Sequence, residues 1–349
     1  LVSSRGSGST GGNPISLRTY RMAISCVGEF GIQQGGTLEG VMSAYMTTVN
    51  VGNVVWERDM AIRMILADET DKLIYLDPAS DPYNPSTIPN VLSVNPTLFD
   101  ATIGFTSYDI GHTWTASPTG GVAGLAGLGV VCKTGGQHKS RAASSNYTNN
   151  VAAMTIEVFA HEVGHQFSAN HSFNNCNGNE NPSTAFEPGS GSTIMSYAGS
   201  CGSNNVQFGA DGYYNIGSLE EFISYSRLGG GSTCPVVDST NNTEPILDLP
   251  YPDGFFIPIS TPFELTATAF DEDGDDLTYT WEQYNLGPQV PLGSPILGAP
   301  SFRSVPPGSN PTRTFPRLSS ILNNSSDARE VLPTYSRDMT FKCTVRDNH

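Results

Sequence analysis

The sequence predicts two folded domains: an α/β domain built on a β-sheet, followed by an all-β domain built as a small antiparallel sandwich. A strand, helix, strand order opens the chain, and strict two-residue alternation of apolar residues begins beyond Pro235. We expect a flexible segment at 1–16, the α/β domain at 17–236 and the sandwich at 237–349. Because the chain ends just after a predicted strand, the last strand of the sandwich can be absent from it.

The N-terminal part of the chain shows the hydrophobic periods of strands and helices in turn. Apolar residues alternate from Tyr20 to Val27, recur at helical spacing from Leu38 to Val49, and form a β-rich run from Met60 to Leu66. Five prolines between Asp77 and Pro96 predict a loop in that stretch.

Three segments follow in the middle of the chain. Gly120 to Cys132 is apolar and rich in Gly, which suits either an exposed edge strand that pairs with an extended peptide or a tightly packed interior strand. Val151 to Phe167 has no Pro, a single Gly and regularly spaced apolar residues, which predicts a helix. Ser168 to Asn215 is rich in Gly, Ser and Asn, which predicts turns and little regular structure.

The predicted sandwich depends on three alternating runs that turns and prolines separate. This pattern is typical of half-buried antiparallel strands. The runs are Phe263, Leu265, Ala267 and Ala269; Leu277, Tyr279 and Trp281; and Met339, Phe341, Cys343 and Val345.

Composition excludes several classes of partner. The chain has 17 Lys and Arg against 33 Asp and Glu, a net charge of −16, although only 14% of its residues are charged. Nucleic acids and anionic bilayers attract proteins through clustered cations, so both are poor partners for this chain. No stretch of about 18 apolar residues occurs, so we expect no membrane insertion. We expect a monomer.

None of the six cysteines forms a C-x-x-C pair, which argues against a zinc ribbon or a thioredoxin-type redox site. Cys176 and Cys201 flank a loop-rich segment that a disulfide would restrain. We therefore interpret the cysteines as extracellular disulfides in preference to buried thiols, and expect a secreted protein. The first residues lack an initiator Met and an apolar signal core, which is typical of a processed terminus.

Three of the six histidines fall within eleven residues, in the segment HEVGHQFSANH at 161–171. On a helix, His161 and His165 lie one turn apart on the same face, so their ring nitrogens can bind one ion at about 2.0–2.1 Å. Glu162 lies beside them, close enough to reach a metal-bound water but badly placed as a ligand. Imidazole ligands with a water in the open position are what a catalytic zinc requires.

A third ligand six residues after His165 cannot project from the same face of a straight helix. The helix must end and the chain must turn back, so His171 fits a turn that completes a three-histidine zinc site. The alternative is a helix whose surface histidines match the pattern by chance, and the third histidine disfavours it.

These residues resemble the metzincin metallopeptidases, whose pattern is H-E-x-x-H-x-x-G-x-x-H followed by a Met-turn. The matching ligands and general base are His161, His165, His171 and Glu162. The segment STIMSY at 192–197 matches the Met-turn around Met195. The sequence departs from the pattern at Ser168, where the family has Gly, so this Ser must adopt a costlier backbone conformation or a slightly different turn.

The segments Gly120 to Cys132 and Phe186 to Met195 look like the secreted bacterial reprolysin-like branch of the metzincins, and the resemblance covers roughly Tyr20 to Cys234. It implies a twisted mixed sheet, an active-site helix and a substrate-pairing edge strand at the GGVAGL sequence, and we interpret the following sandwich as immunoglobulin-like. The implied disulfides are Cys132 with Cys234 and Cys176 with Cys201, while Cys26 and Cys343 stay unpaired.

The resemblance implies a zinc endopeptidase that hydrolyses peptide bonds of protein substrates. Zinc lowers the pKa of its bound water toward about 7 and polarises the scissile carbonyl, while Glu162 accepts the water proton and returns it to the leaving amine. Met195 forms a hydrophobic floor beneath the histidines. Astacin-like and serralysin-like relatives carry a tyrosine at the position of Tyr197 that ligates zinc or hydrogen-bonds the tetrahedral intermediate; the alternative for Tyr197 is a packed structural role.

An acidic loop at 271–276 precedes a predicted strand and offers hard oxygen ligands for Ca²⁺ from Asp271, Asp273 and Asp275. It is not an EF-hand loop, because Gly274 stands at the fourth position and Asp276 at the sixth, where Gly is required. Calcium binding and a solvated acidic hairpin turn remain open alternatives.

Two other functions stay open at the level of the sequence. A catalytically inactive adhesion or matrix-binding protein on the same fold is disfavoured, because Glu162 and all three ligands are present. A zinc hydrolase acting on a non-peptide amide is disfavoured by the candidate edge strand for peptide pairing. His112 lacks ligand partners at useful spacing, and we expect it to be structural.

Overall fold

The structure, a computed structural model, describes residues 12–176, 178–251 and 254–348. It divides into two compact units. The sheet unit consists of Ser16–Ala169 and Glu221–Asp238, and the loop unit consists of 12–15, Asn170–Glu220 and 239–348. Of the predicted flexible N-terminal segment, residues 1–11 lie outside the described residues and 14–16 belong to the first strand.

The sheet unit contains a mixed β-sheet. Among the described residues it has six strands: four run parallel, a short fifth strand pairs antiparallel at one end of the order, and a sixth, β6 (Val236–Thr243), pairs with β1 (Pro14–Cys26) off this path. In order across the sheet, the first five are β2 (Ile62–Leu66), β1, β3 (Ile110–Thr115), β5 (Ala142–Ser145) and β4 (Gly124–Ala126). The register places Ile24 opposite His112. Of the Gly-rich run from Gly120 to Cys132, only β4 forms a strand, and that strand is at the sheet edge.

Helices accompany the parallel strands, as crossover connections require. The first three are α1 (Gly28–Gln33), α2 (Leu38–Met60) and α3 (Ile88–Thr102). The long helix α2 begins at Thr37, whose side chain accepts a hydrogen bond from the backbone N–H of Gly40, and it buries Tyr45 and Trp56. None of the helices that the structure describes combines the length and the apolar character that a membrane span requires.

Helix α3 corrects the loop expected between Asp77 and Pro96, because its first nine residues fall inside that stretch. Pro89 lies in the first turn, where a missing N–H costs no hydrogen bond, although Pro96 lies inside the helix. The buried residues Val91, Leu92, Asn95 and Phe99 recur at helical spacing. The helical spacing of the apolar residues, and not the number of prolines, therefore determines that this segment is a helix.

In the loop unit, the stretch before Glu220 holds little regular structure, as its composition predicts. Helix α6 (Ile216–Arg227) and strand β6 (Val236–Thr243) follow, and the unit boundaries after Glu220 and Asp238 divide both of them. The C-terminal part then forms three antiparallel pairs of strands and a short helix, α7 (Leu318–Leu322). The pairs are β7 (Ile246–Asp248) with β9 (Thr268–Phe270), β8 (Phe263–Thr266) with β11 (Thr312–Phe315), and β10 (Thr278–Gln283) with β12 (Phe341–Arg346).

The C-terminal pairs share a small apolar core. Leu265, Trp281, Phe315 and Cys343 are buried there, and all four belong to the strands or to the alternating runs of the sequence. That these pairs make up one immunoglobulin-like sandwich, bounded at 236/237, stays a prediction.

Candidate metal centre

His161 and His165 are carried by a helical segment that starts at a capped end. The side chain of Asn150 accepts a hydrogen bond from the backbone N–H of Ala153 at 3.1 Å, and helix α4 (Val151–Met154) follows. A π-helical turn at Thr155–Phe159 leads into helix α5 (Ala160–Gln166). π-Turns concentrate at functional sites, and this one immediately precedes the motif.

Helix α5 ends where the sequence pattern requires the chain to turn. Ser168 has a φ of +75°, in the left-handed region that favours glycine, and its N–H donates to the carbonyl of His165 at 2.8 Å. Ser168 therefore adopts the backbone conformation that Gly gives the metzincin pattern. The cost of that conformation is about 1–2 kcal/mol for a residue with a Cβ.

The turn brings the third histidine to the other two. The ring nitrogens of His161, His165 and His171 all lie within 4.8 Å of one another. His161 is buried, with 5% of its surface exposed, while the other two are half-buried. These three side chains are therefore placed to share one ion.

Two of these rings hydrogen-bond to backbone carbonyls through Nδ1, which sets their tautomers. His165 Nδ1 donates to the carbonyl of Ala169 at 2.7 Å, and His171 Nδ1 donates to the carbonyl of Asn179 at 2.7 Å. A donating Nδ1 leaves Nε2 as the ligand atom, the arrangement that orients metal-binding histidines. Burial lowers the pKa of His171, so its ring is neutral near pH 7, as a ligand must be. The donor set therefore fits zinc, which prefers imidazole nitrogen.

Glu162 projects from α5 beside the histidines as a buried carboxylate. Its exposed fraction is 5%, and its Oε2 has no hydrogen-bond partner among the described residues. Burial raises the pKa of Glu162 well above its usual value. Glu162 thus places a buried carboxylate oxygen without a hydrogen-bond partner among the described residues on the same helix as two of the clustered histidines.

The Met-turn lies in the loop unit and is tied to the third-histidine segment by backbone hydrogen bonds. Met195 is fully buried, and its carbonyl accepts from the N–H of Ser172 at 3.1 Å. Tyr197 packs its ring on His171, with centroids 4.7 Å apart, and on Phe173, 4.6 Å apart. The Tyr197 hydroxyl accepts from the side-chain amide of Asn179 at 2.7 Å.

Asn179 is a residue that the sequence analysis missed. Its carbonyl fixes His171 and its amide holds the Tyr197 hydroxyl, so one residue contacts both sequence-predicted groups. The backbone φ of Asn179 is +73°, and Asn tolerates that region better than most residues. An Asn in a polar loop is common, so sequence alone gave no signal for this position.

His112 supports the helix from the sheet side. It is fully buried, and its ring nitrogens lie 3.0 Å from Gln166 Oε1 and 2.9 Å from Ser144 Oγ. Its ring stacks on Phe159 at 3.9 Å between centroids. Burial lowers the pKa of His112 to about 3, so it stays neutral. His112 therefore orients the last residue of α5 and takes no part in the histidine cluster.

Two disulfides are present. Cys132 is bonded to Cys234 and Cys176 to Cys201, with sequence separations of 102 and 25 residues. Each bond lies within one of the two units. Cys26 and Cys343 are free and buried.

The acidic loop forms a second cluster, in the loop unit. Carboxylate oxygens of Asp271, Asp273 and Asp275 lie within 4.8 Å of one another. Asp271 is buried; its Oδ1 accepts backbone N–H groups of the loop, and its Oδ2 has no hydrogen-bond partner within the described part of the chain. Asp273 Oδ2 accepts from the N–H and the hydroxyl of Thr243, each at 2.7 Å.

Comparison with known proteins agrees with this geometry. Residues 39–221 match the model of the reprolysin-like metallopeptidases of family M12B. No curated protein matches the chain significantly. Among solved structures, one described as the structure of a chaperone–substrate complex matches 61% of this chain and 35% of its own, with 18% identity and a TM-score of 0.38. That likeness is too weak to define the fold.

Proposed function

The chain belongs to the reprolysin-like metallopeptidases of family M12B, and from this premise we propose that it is a secreted zinc-dependent endopeptidase that cleaves polypeptide substrates. The observation that carries the proposal is the pairing of three convergent histidines with the buried, unpartnered Oε2 of Glu162. Burial of a carboxylate oxygen without a hydrogen-bond partner costs stability. A protein that had kept only the fold would gain nothing from such a group at this position.

His161, His165 and His171 would hold the zinc, His165 and His171 through their Nε2 atoms. When bound, zinc supplies a Lewis acid that polarises the scissile carbonyl and acidifies a water. The Nδ1 bonds to Ala169 and Asn179 keep two of the rings in the required tautomer. His171 reaches the site because Ser168 accepts the left-handed turn.

Glu162 would be the general base. Its unpartnered oxygen is free to accept the proton of the attacking water and to pass it to the amine that leaves. Positioned proton transfer of this kind contributes about 10²- to 10⁴-fold to a rate.

The substrate would bind as an extended peptide along β4. This strand ends the order of the sheet, so one of its backbone edges is open for pairing, and Leu125 is 43% exposed. Gly124 lies against the carboxylate of Glu162, which places the paired peptide next to the base.

Tyr197 would hydrogen-bond the charge that develops on the substrate carbonyl. Its hydroxyl, held by Asn179, lies on a ring that packs on His171. We expect Tyr197→Phe to lower kcat about 10²- to 10³-fold and to leave zinc content unchanged. Unchanged turnover in this variant would assign Tyr197 a packing role.

The decisive experiment compares zinc content and casein cleavage for the wild type, the chelated protein and Glu162→Gln. We expect one zinc per chain, loss of activity on chelation, and a variant that keeps its zinc but loses about 10²- to 10⁴-fold of its turnover. Glu157→Gln, in the preceding π-turn, serves as the matched control and should retain activity. A zinc-replete wild type that cleaves no polypeptide would point to an inactive adhesion protein.

Secretion is supported by the two disulfides, since such bonds persist in oxidising compartments. Thiol labelling of the protein purified from its native compartment tests this. We expect that no added oxidant is needed for four cysteines to resist the labelling reagent, because their disulfides protect them. These are Cys132, Cys176, Cys201 and Cys234.

We also propose a Ca²⁺ ion at Asp271, Asp273 and Asp275, because an unpartnered buried carboxylate oxygen and two neighbouring carboxylates suit a hard cation. Calcium should raise the unfolding temperature of the wild type and leave that of Asp271→Asn unchanged. An equal response of both proteins would identify the loop as a solvated acidic turn.

A further inference from the structure

The segment that carries His171, Met195 and Tyr197 has almost no helix or strand to hold it. Buried polar contacts take that role. Glu187 is fully buried and accepts hydrogen bonds from Ser172 Oγ at 2.6 Å and from the N–H of Ser192 at 2.8 Å. Its own N–H donates to the carbonyl of Ser172 at 2.8 Å. Glu187 thereby connects Ser172, the residue after the third histidine, to the Met-turn through hydrogen bonds.

The C-terminal part of the loop unit holds the same segment from outside. Asn174, three residues after His171 and 2% exposed, donates from Nδ2 to the carbonyl of Pro288 at 3.1 Å. Its Oδ1 accepts the N–H of Val290 at 3.0 Å. Asn175 adds a bond to the carbonyl of Val290 at 2.9 Å. Asn174 thus pairs with the backbone of 288–290 as a strand would.

A second set of contacts reaches the Met-turn through Tyr213. The carbonyl of Tyr213 accepts the N–H of Ile194 at 3.0 Å, and its hydroxyl donates to Ser304 Oγ at 2.7 Å. The Ser304 hydroxyl donates in turn to the carboxylate of Glu282 on β10. Glu282 also accepts from Asn215 Nδ2 at 2.9 Å. Tyr213, Glu282 and Ser304 are all buried, so water cannot replace these bonds cheaply.

We propose that residues 282–304 position the third-histidine segment and the Met-turn, so that the C-terminal region belongs to the framework of the metal site. Asn174 and Ser304 are the positioning residues at the two points of attachment. The proposal rests on the zinc site of the proposed function. It assigns the C-terminal strands a task other than that of a detachable substrate-binding module.

The test uses the full chain with Asn174→Ala and Ser304→Ala, each measured against the wild type. We expect zinc affinity, determined by competition with a chelator, to weaken about tenfold, the lower end of the effect of outer-shell contacts on metal sites. For a short peptide substrate, kcat should fall threefold to tenfold with KM unchanged. Hydrogen exchange of the Ser172 and Glu187 amides should become faster in both variants.

Thr312→Val is the matched control. Its hydroxyl lies 2.7 Å from Thr266 Oγ1, between strands β11 and β8 and outside residues 282–304. It should lower the unfolding temperature to a similar degree and leave zinc affinity unchanged. If Asn174→Ala does not fold, Asn174→Asp, which keeps the acceptor for Val290, takes its place.

The proposal is overturned if both positioning variants keep wild-type zinc affinity and kcat while their unfolding temperatures fall as in the control. The wild type could lack peptidase activity while the two positioning variants still bind zinc more weakly than the wild type and the control. That result would refute the proposed function and leave this inference standing.

Discussion

Gly124 on the edge strand lies directly against the carboxylate of Glu162. A Cβ built at Gly124 would stand 2.4 Å from Glu162 Oε1, which real side chains do not tolerate. The glycine of β4 therefore makes room for the candidate base, in addition to any role in pairing with a peptide.

We expect Gly124→Ala to displace the carboxylate and to lower kcat about tenfold to a hundredfold, because errors near 1 Å in the position of a reacting group have that effect. Zinc content should stay at the wild-type level. Kinetics on a short peptide and metal analysis measure both quantities. Gly135→Ala, where a Cβ meets nothing within 4 Å, is the control, and equal losses in the two variants would contradict this role.

The turn at Ser168 predicts an order of stability among variants. Ser168→Gly removes the strain of a left-handed residue and should match or slightly exceed the wild type in stability. Ser168→Val places a β-branched side chain at a φ of +75° and should lose about 2 kcal/mol or more, together with zinc affinity. Thermal unfolding with and without zinc gives the order. A valine variant as stable as the wild type would refute the strain argument.

His112 makes stability depend on pH. Its folded pKa of about 3 lies below the ordinary 6.5, so below about pH 6.5 the unfolded chain binds a proton that the folded chain does not. Its contribution is complete above pH 6.5 and declines by about 1.4 kcal/mol per pH unit as the pH falls toward the folded pKa.

Urea unfolding of the metal-free protein at pH 7.5, 6.5 and 5.5 measures this decline. His112→Gln should be less stable at pH 7.5 but show a flatter pH dependence. Parallel curves for the two proteins would mean that another group accounts for the loss.

The Cys176–Cys201 disulfide closes the loop that carries Asn179 and Tyr197. Loop closure over 25 residues corresponds to about 3–4 kcal/mol. We expect the double variant Cys176→Ser, Cys201→Ser to unfold at a lower temperature and to lose activity before it loses its fold. Comparison of zinc affinity and Tm with those of the wild type checks this. Activity that persists up to the variant's unfolding temperature would show that the loop is held without the disulfide.

The sequence alone identified the histidine cluster because its information is local. One helical turn separates His161 from His165, so the sequence places both on the same face of a helix, with Glu162 beside them. The preference of zinc for imidazole ligands then identifies this face as a candidate metal site. The need for a turn before His171 also follows from helix geometry, and Ser168 supplies it. Local period and ligand chemistry are thus sufficient to locate the candidate centre.

What surrounds the centre could not be predicted in this way. Asn174 meets Val290 across 116 residues, and Gly124 meets Glu162 through tertiary packing. The first pair joins two loops of irregular backbone, and the second joins a strand to a helix through a glycine, so no hydrophobic period of the sequence indicates either contact. An Asn, Ser or Gly in a polar stretch has many uses, so its partner emerges only from the folded chain.

The loop unit joins chain segments that are far apart in sequence, and this determines when the site can form during synthesis. The ribosome releases His171 more than a hundred residues before the partners of Asn174 and Tyr213 at 288–304. Until then, the nascent chain lacks the contacts that Asn174 and Tyr213 make with Pro288 and Ser304. A chain assembled in this order completes the framework of its candidate metal site only after residues 288–304 have been synthesised.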